Sequence, residues 1–322
     1  MKAMVYTNYG SPDVLQLKEV DKPVPKDNEL LIKIKATGVN PADWHLLRGE
    51  PFLARLEAGL FKPKNAILGI DIAGQVEAVG KAVTGFQPGE EVFGDCGWGG
   101  GFAEYVCVTE KNVVPKPANI SFEQAGAISV AAITALQGLR DKGQIQAGQK
   151  VLVNGASGGV GTFAVQLAKY FGGEVTGVCS TRNLEMVRSI GADHVIDYTR
   201  EDFTQNGAQY DLLFDAVGNR SVSEYQRALS PRGICVVAGF TTLSRLFQLM
   251  LLGAWVSKTG SKQVGSMGTA QSNKQDLLFL KELLETGKVT PVIDRRYPLP
   301  EVPAAIRYLE AGHARGKVVI TI

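Results

Sequence analysis

The 322-residue sequence predicts an α/β protein in two parts, a mainly β domain interrupted by a doubly wound parallel sheet. Three observations predict it. Up to about residue 120 the chain runs in short β-branched stretches punctuated by Gly and Pro. It then alternates apolar strands with amphipathic helices in some six repeats, which implies a parallel sheet covered on both faces. Finally the tail returns to a mixed character, so the first domain is predicted to be discontinuous.

In order, "ELLIKIKATGV", "IAGQVEAVG", "EEVFG" and "AEYVCVTEKNVV" read as strands. Ser121, with Gln124 three residues on, forms a capping box that opens a helix expected to continue through "AGAISVAAITALQGL". The alternating region follows: "KVLVNG", "GTFAVQLAKYFG", "EVTGVCS", "LEMVRSIGA", "HVIDY", "YDLLFDAVG", "SVSEYQRALS" and "GICVVAG". Helices at "NKQDLLFLKELLETG" and "LPEVPAAIRYLEAG" and a strand at "KVVITI" close the chain. The expected boundaries are 1–122, 123–268 and 269–322.

Composition narrows the function classes. With 34 basic against 32 acidic residues, the chain as a whole has no broad attraction to nucleic acid or to an anionic membrane. Four scattered cysteines, Cys96, Cys107, Cys179 and Cys235, suit neither a disulfide framework nor a structural zinc lobe, so a reducing, cytoplasmic home is expected. The start runs straight into the strand-like "AMVYTNYG", without a basic-then-apolar leader. The longest apolar run, "LFQLMLLGAWV" from Leu246, is shorter than the roughly 20 residues of a membrane span. It is read as a substrate-cleft wall, a dimer surface or a membrane contact, the last lacking flanking basic clusters.

The most informative segment is "KVLVNGASGGVGTFAVQLAKYFG". It sets Gly155, Gly158, Gly159 and Gly161 between a buried strand and a helix, as a dinucleotide fingerprint requires, with Ala156 departing from G-x-G-x-x-G. The next strand ends "VCSTRN". Ser180, Thr181 and Arg182 offer hydroxyls and a guanidinium suited to a 2′-phosphate, and no carboxylate stands at that strand end, so NADPH is the expected cofactor.

"GQKVLVNGASGGVGTFAVQLAK", "GIDIAGQVEAVGKAVTGFQPGEEVFG", "GGGFAEYV" and "ARGKVVI" together resemble the quinone oxidoreductase and zeta-crystallin branch of the medium-chain dehydrogenase/reductase superfamily. "NPADW", "CSTRN" and "HVIDY" are most similar to the plant chloroplast-envelope quinone oxidoreductase-like group. The resemblance implies a GroES-like catalytic domain, a Rossmann domain and NADPH held between them. By residue match it also implies cofactor roles for Thr134 (carboxamide), for Ser157, Gly158, Gly159 and Val160 (pyrophosphate), and for Tyr198 (adenine or 2′-phosphate side). Gly239, Phe240 and Thr241 would face the nicotinamide ribose, and Lys317 would reach the cofactor unless it is a strand-edge lysine that discourages aggregation.

Zinc-dependent relatives hold their metal at positions that correspond here to Asn40, Ile70 and Val130, and two of these side chains cannot ligate zinc. No metal is therefore expected, and with it no Lewis acid to stabilise an alkoxide. The resemblance then implies an enzyme that reduces quinones or α,β-unsaturated carbonyls, small acceptors that need only hydride and a modest hydrogen bond. Asn40 is expected to supply that bond from its amide or to cap the helix beginning at Pro41; His45 is either a proton relay or a packing histidine. Phe52 falls near a place where zinc-free relatives carry Tyr, which weakens the case for a dedicated acid. Alternatives are an enoyl-thioester reductase and a non-catalytic NADPH-binding structural protein. A homodimer paired at "KQVGSMG" is the family-level expectation.

Overall fold

β-branched residues on alternate sides make the first part a set of antiparallel strands, as the sequence predicts. They are β1 (Lys2–Val5), β2 (Gln16–Glu19), β3 (Glu29–Val39), β4 (Asp71–Val79), β5 (Glu91–Asp95), β6 (Tyr105–Thr109) and β7 (Val113–Pro115), with α1 (Pro41–Arg48) and α2 (Arg55–Ala58) between β3 and β4. The structure is a computed structural model that describes residues 1–52 and 55–322.

The helix opened by Ser121 is broken in two, α3 (Phe122–Ala125) and α4 (Ser129–Gln137). Its capping box forms as expected, Ser121 Oγ accepting from Gln124 N–H and Gln124 Oε1 from Ser121 N–H. The break has a steric cause. Gly126 comes so close to β3 that a Cβ there would lie 2.9 Å from the Ala36 carbonyl, so the chain turns instead of continuing as a helix.

The alternating region folds as β8 (Lys150–Asn154), α5 (Gly159–Tyr170), β9 (Glu174–Cys179), α6 (Leu184–Ser189), β10 (His194–Asp197), β11 (Tyr210–Asp215), α7 (Val222–Ala228) and β12 (Leu229–Val237). A helical stretch then runs through α8 (Leu243–Gln248), a π turn at Leu249–Gly253 and α9 (Ala254–Thr259) before β13 (Gln263–Ser266). The tail contributes α10 (Lys274–Glu285), β14 (Ile293–Pro298), α11 (Val302–Glu310) and β15 (Lys317–Thr321).

The chain divides into two units: Met1–Ala131 with Ser272–Ile322, and Ala132–Gln271. In the first, strands are ordered β14-β15-β3-β4-β5-β7, with β6 also paired to β3. β15 buries alternate residues on opposite faces. Val318 and Ile320 join Leu47, Leu68, Val302 and Ile306 in one core, while Val319 meets Ala36 and Ala127 in another. The α11 stripe Val302, Ala305, Ile306 has the i, i+3, i+4 spacing that seats a helix on a sheet.

In the second unit every strand pairing is parallel, in the order β10-β9-β8-β11-β12-β13. Numbered by sequence within the unit this is 3-2-1-4-5-6, the Rossmann order, whose switch point lies between β8 and β11. Val151, Leu152 and Val153 on β8 and Leu212, Leu213 and Phe214 on β11 are all fully buried, as strands covered on both faces must be.

Gly161 fixes how α5 sits on this sheet. A Cβ there would lie 2.0 Å from the Gly155 carbonyl oxygen, a backbone atom that cannot yield. Gly161→Ala is therefore expected to cost about 2–3 kcal/mol of stability by overpacking, measured as a lower urea midpoint at unchanged m-value.

Candidate functional site

In the second unit, the ends of the parallel strands bring together the segments expected to hold a dinucleotide. The loop after β8 turns at Gly155, whose φ of +77° favours glycine. α5 follows, with Gly158 as its N-cap. The first intrahelical bond is Thr162 N–H to the Gly158 carbonyl at 2.9 Å, so the preceding amides of Gly159, Val160 and Gly161 face out of the helix end. A Cβ on Gly158 would meet nothing closer than the Gly155 carbonyl at 3.4 Å. A backbone left bare at a helix N-terminus fits a pyrophosphate.

Asn183, which sequence reading passed over, braces this loop. It is buried at the start of α6, and its Nδ2 donates to Ser157 Oγ at 3.0 Å and Ser180 Oγ at 3.2 Å. Its Oδ1 is buried without a hydrogen-bond partner, an acceptor that a hydroxyl donor would satisfy.

Ser180, Thr181 and Arg182 follow β9, and Tyr198 follows β10 with its N–H bonded to the Cys179 carbonyl at 3.1 Å and its ring exposed. One part of the sequence reading needs correction here. A carboxylate does stand at this strand end, contributed by the neighbouring strand: Asp197 Oδ2 accepts from Thr181 Oγ1 at 2.5 Å, and Oδ1 accepts from Thr199 N–H and Oγ1 at 3.0 and 2.8 Å. Chiefly the Thr181 hydroxyl holds this carboxyl below its usual range, so it is charged at neutral pH. Arg200 lies 3.6 Å from it. Thr181 thus spends its proton on Asp197, leaving Arg182 and Arg200 as the nearby cations.

After β11, Asp215 Oδ1 accepts from the N–H groups of Val217 and Gly218 at 2.7 and 2.8 Å, and Oδ2 from the Tyr225 hydroxyl at 2.7 Å. The tight turn so fixed receives the loop after β12. A Cβ on Gly239 would lie 2.6 Å from the Ala216 carbonyl, and Thr241 Oγ1 donates to the Gly218 carbonyl at 3.2 Å. Phe240 lies between them. Thr134 is half-buried on α4.

The first unit builds a different cluster. Pairing of Val318 with Val39 sets the start of β15 beside the end of β3, and pairing of Ala36 with Ala73 sets the start of β4 beside both. Asn40, Asp71 and Lys317 consequently meet, each 3% exposed or less. Lys317 Nζ donates to Asn40 Oδ1 at 2.5 Å and to Asp71 Oδ2 at 3.1 Å. Asn40 Nδ2 donates to Asp71 Oδ2 at 2.9 Å and to the Gly38 carbonyl at 3.4 Å. Asp71 Oδ1 accepts from Val130 N–H at 2.7 Å. Gly38 is required, since its Cβ would fall 2.4 Å from Asp71 Oδ2.

Two expectations change accordingly. Lys317 does not sit on a sheet edge, because β15 lies between β14 and β3. Nor does Asn40 keep a spare donor for an acceptor carbonyl, since both of its amide hydrogens are directed at oxygens of the chain. The helix-capping bond it was expected to supply comes instead from Asp43, whose Oδ2 accepts Asn40 N–H at 2.7 Å while Oδ1 accepts Gly69 N–H at 3.1 Å. The three positions where zinc relatives place ligands do converge, because Asp71, next to Ile70, touches both Asn40 and the Val130 backbone.

His45 is half-buried, its ring stacked on Trp44 at 3.6 Å between centroids. Its Nδ1 lies 2.8 Å from the Glu50 carbonyl, which can only accept, so the neutral ring carries its proton on Nδ1. Burial lowers its pKa, keeping it neutral at pH 7. Phe52 is exposed, with the Arg55 guanidinium 5.6 Å from its ring centre.

A discontinuous mainly β unit interrupted by a Rossmann unit is the architecture of the medium-chain dehydrogenases/reductases. The family model described as alcohol dehydrogenase GroES-like domain matches residues 26–118, and that described as zinc-binding dehydrogenase matches residues 190–320. The chain is 39% identical to 2-methylene-furan-3-one reductase of Solanum lycopersicum, over 99% of this chain and 79% of that protein. It is 37% identical, over the same shares, to the chloroplastic NADPH-dependent alkenal/one oxidoreductase of Arabidopsis thaliana. Among solved structures, the quinone oxidoreductase from Coxiella burnetii superposes with a TM-score of 0.87 at 31% identity, covering 100% of this chain and 99% of that one. The chain belongs to the quinone oxidoreductase family of the medium-chain dehydrogenase/reductase superfamily, whose members are NAD(P)H-dependent oxidoreductases.

The buried cluster makes two predictions. Lys317→Met strands the Asp71 carboxylate and is expected to cost about 3–5 kcal/mol in urea unfolding. Burial raises the Asp43 carboxyl to about 7, against two backbone N–H groups that favour its charged form. The folded protein then holds this proton to about pH 7 and the unfolded chain only to about 4. The resulting stabilisation is complete below about pH 4 and is lost as pH rises towards 7. The stability difference between wild type and Asp43→Asn should therefore shrink across that window in urea titrations.

Proposed function

We propose that the chain is an NADPH-dependent reductase that delivers hydride to quinones or α,β-unsaturated carbonyls without a metal. One observation carries the reading: at the corner where zinc relatives place ligands, Asn40 is closed into an ion-pair network with Asp71 and Lys317, beside Ile70 and Val130. Such a corner offers no Lewis acid, which an alcohol dehydrogenase needs and a conjugated acceptor does not.

NADPH, when bound, supplies the hydride. In this reading the amides of Gly159 and Val160, with Ser157 and Gly158, hold its pyrophosphate. Arg182, aided by Ser180 and Tyr198, takes the 2′-phosphate, while Thr134, Gly239, Phe240, Thr241 and Lys317 are proposed for the nicotinamide side. Asn40 acts as a positioning residue that keeps Lys317 and Asp71 paired. His45, neutral with Nδ1 protonated, is oriented to accept a proton at Nε2 and is a relay rather than an acid at neutral pH. Water protonates the delocalised anion left on the acceptor, which needs no dedicated acid. The same reading includes a reducing, cytoplasmic setting and a homodimer paired along β13.

The named activities of the tomato and Arabidopsis relatives support an enone acceptor. Cofactor oxidation across quinones, alkenals and alcohols, with chelator present, tests the reading. Turnover of an enone or quinone that survives chelation is expected, and alcohol oxidation abolished by chelator would overturn it.

Cofactor choice has its own test. Arg182→Ala is expected to weaken NADPH binding about tenfold with little effect on NADH, the loss of one charge-assisted contact. Asp197→Asn should tighten NADPH by removing a like charge. Equal wild-type dissociation constants for the two cofactors, read by fluorescence titration, would refute the 2′-phosphate assignment.

A further inference from the structure

The helical stretch from α8 to α9 is apolar on both sides. Leu249, Gly253 and Val256 are buried beneath it, and a Cβ on Gly253 would lie 2.6 Å from the Val264 carbonyl, so that side is committed to the sheet. At helical spacing on the other side, Leu243, Phe247, Met250, Leu251 and Trp255 are 46–72% exposed in the whole chain. A soluble surface rarely presents such a contiguous apolar row without a partner.

Charge selects the partner. Between Glu224 and Asp276 the chain carries Arg227, Arg232, Arg245, Lys258, Lys262 and Lys274 and no acidic residue. Lys258 lies exposed one turn beyond Trp255, while Arg245 bonds Gln248 and Lys262 the Gln226 carbonyl. The near balance of charge over the whole chain hides this segment. A second copy docked face to face would set cations against cations with no carboxylate to answer them. An anionic bilayer surface answers both features, taking aromatic and leucine side chains to the level of the acyl boundary and lysines to the headgroups. Among the described residues no helix is long and apolar enough to cross a membrane, and a helix lying in the interface need not be.

We propose that the exposed face of Leu243–Thr259 is a docking surface for anionic phospholipid bilayers. The inference is independent of the reductase reading, because its readout is partitioning rather than turnover.

Flotation of the full chain with vesicles of phosphatidylcholine and phosphatidylglycerol in equal parts, against phosphatidylcholine alone, tests it. Wild type should float with the anionic vesicles and lose binding at high salt. Phe247→Ser with Leu251→Ser should cut partitioning by about tenfold or more, and Lys258→Gln by roughly fivefold. Trp255 emission should shift to the blue on vesicle addition, and the shift should vanish in Trp255→Phe, which retains Trp44 and Trp98; this reading needs no destabilising variant. Failure of wild type to float overturns the proposal, as does equal flotation of all variants. So does a wild-type dimer that ignores vesicles and becomes monomeric in the Phe247→Ser, Leu251→Ser variant by light scattering.

Discussion

The contact between Lys317 and Asp71 organises the first unit. It joins the start of β15 to the start of β4 across the end of β3, linking strands far apart in sequence. Taking both charges out of water costs several kcal/mol each, and the attraction between them repays that only if the remaining donors and acceptors are satisfied. Here Asn40 and Val130 N–H complete most of the set. The pair's net contribution to stability is accordingly small, and its larger effect is on register. A one-residue slip of β15 would put Val318 against the Asp71 carboxylate and turn Val318 and Ile320 out of their core.

The same contact limits what Asn40 can do. An amide with both hydrogens on chain oxygens and its carbonyl on an ammonium is held in one orientation. It cannot polarise a ligand without breaking a buried charge-assisted bond, a cost greater than the modest gain of one new hydrogen bond. In the second unit the balance is closer. Asp197 disfavours a phosphate near Thr181, yet its charge is shared among two threonine hydroxyls, a backbone N–H and Arg200. Arg182 therefore acts against a partly neutralised carboxylate.

Much of the fold was legible because its signals are periodic. Strand alternation, the helix stripes and the glycine spacing each depend on neighbours in sequence, and the parallel sheet follows from their repetition. What escaped depends on neighbours in space. Asp197 reaches Thr181 only because β10 pairs with β9, a fact of strand order. Asp71 showed itself only as a lone acid at the head of an apolar strand, and Asn183 as one more polar residue in "CSTRN". The break at Gly126 required knowing how close β3 passes. The run at Leu246 was ambiguous for a related reason: composition makes a segment apolar, but only packing decides which side meets the core and which meets solvent.

Fold and metal dependence part company in this chain. The zinc-binding dehydrogenase model matches residues 190–320, a range that contains none of Asn40, Ile70 and Val130. What that match follows is the sheet with its helices and the closing strand, which position a dinucleotide-type site whichever side chains occupy the other unit's corner. Zinc chemistry resides in three side chains and hydride chemistry in a glycine loop, and the scaffold can keep one while losing the other. In this chain the lost ligands are replaced by a buried lysine, aspartate and asparagine, so the corner retains a structural role in fixing the strands after its catalytic one is gone.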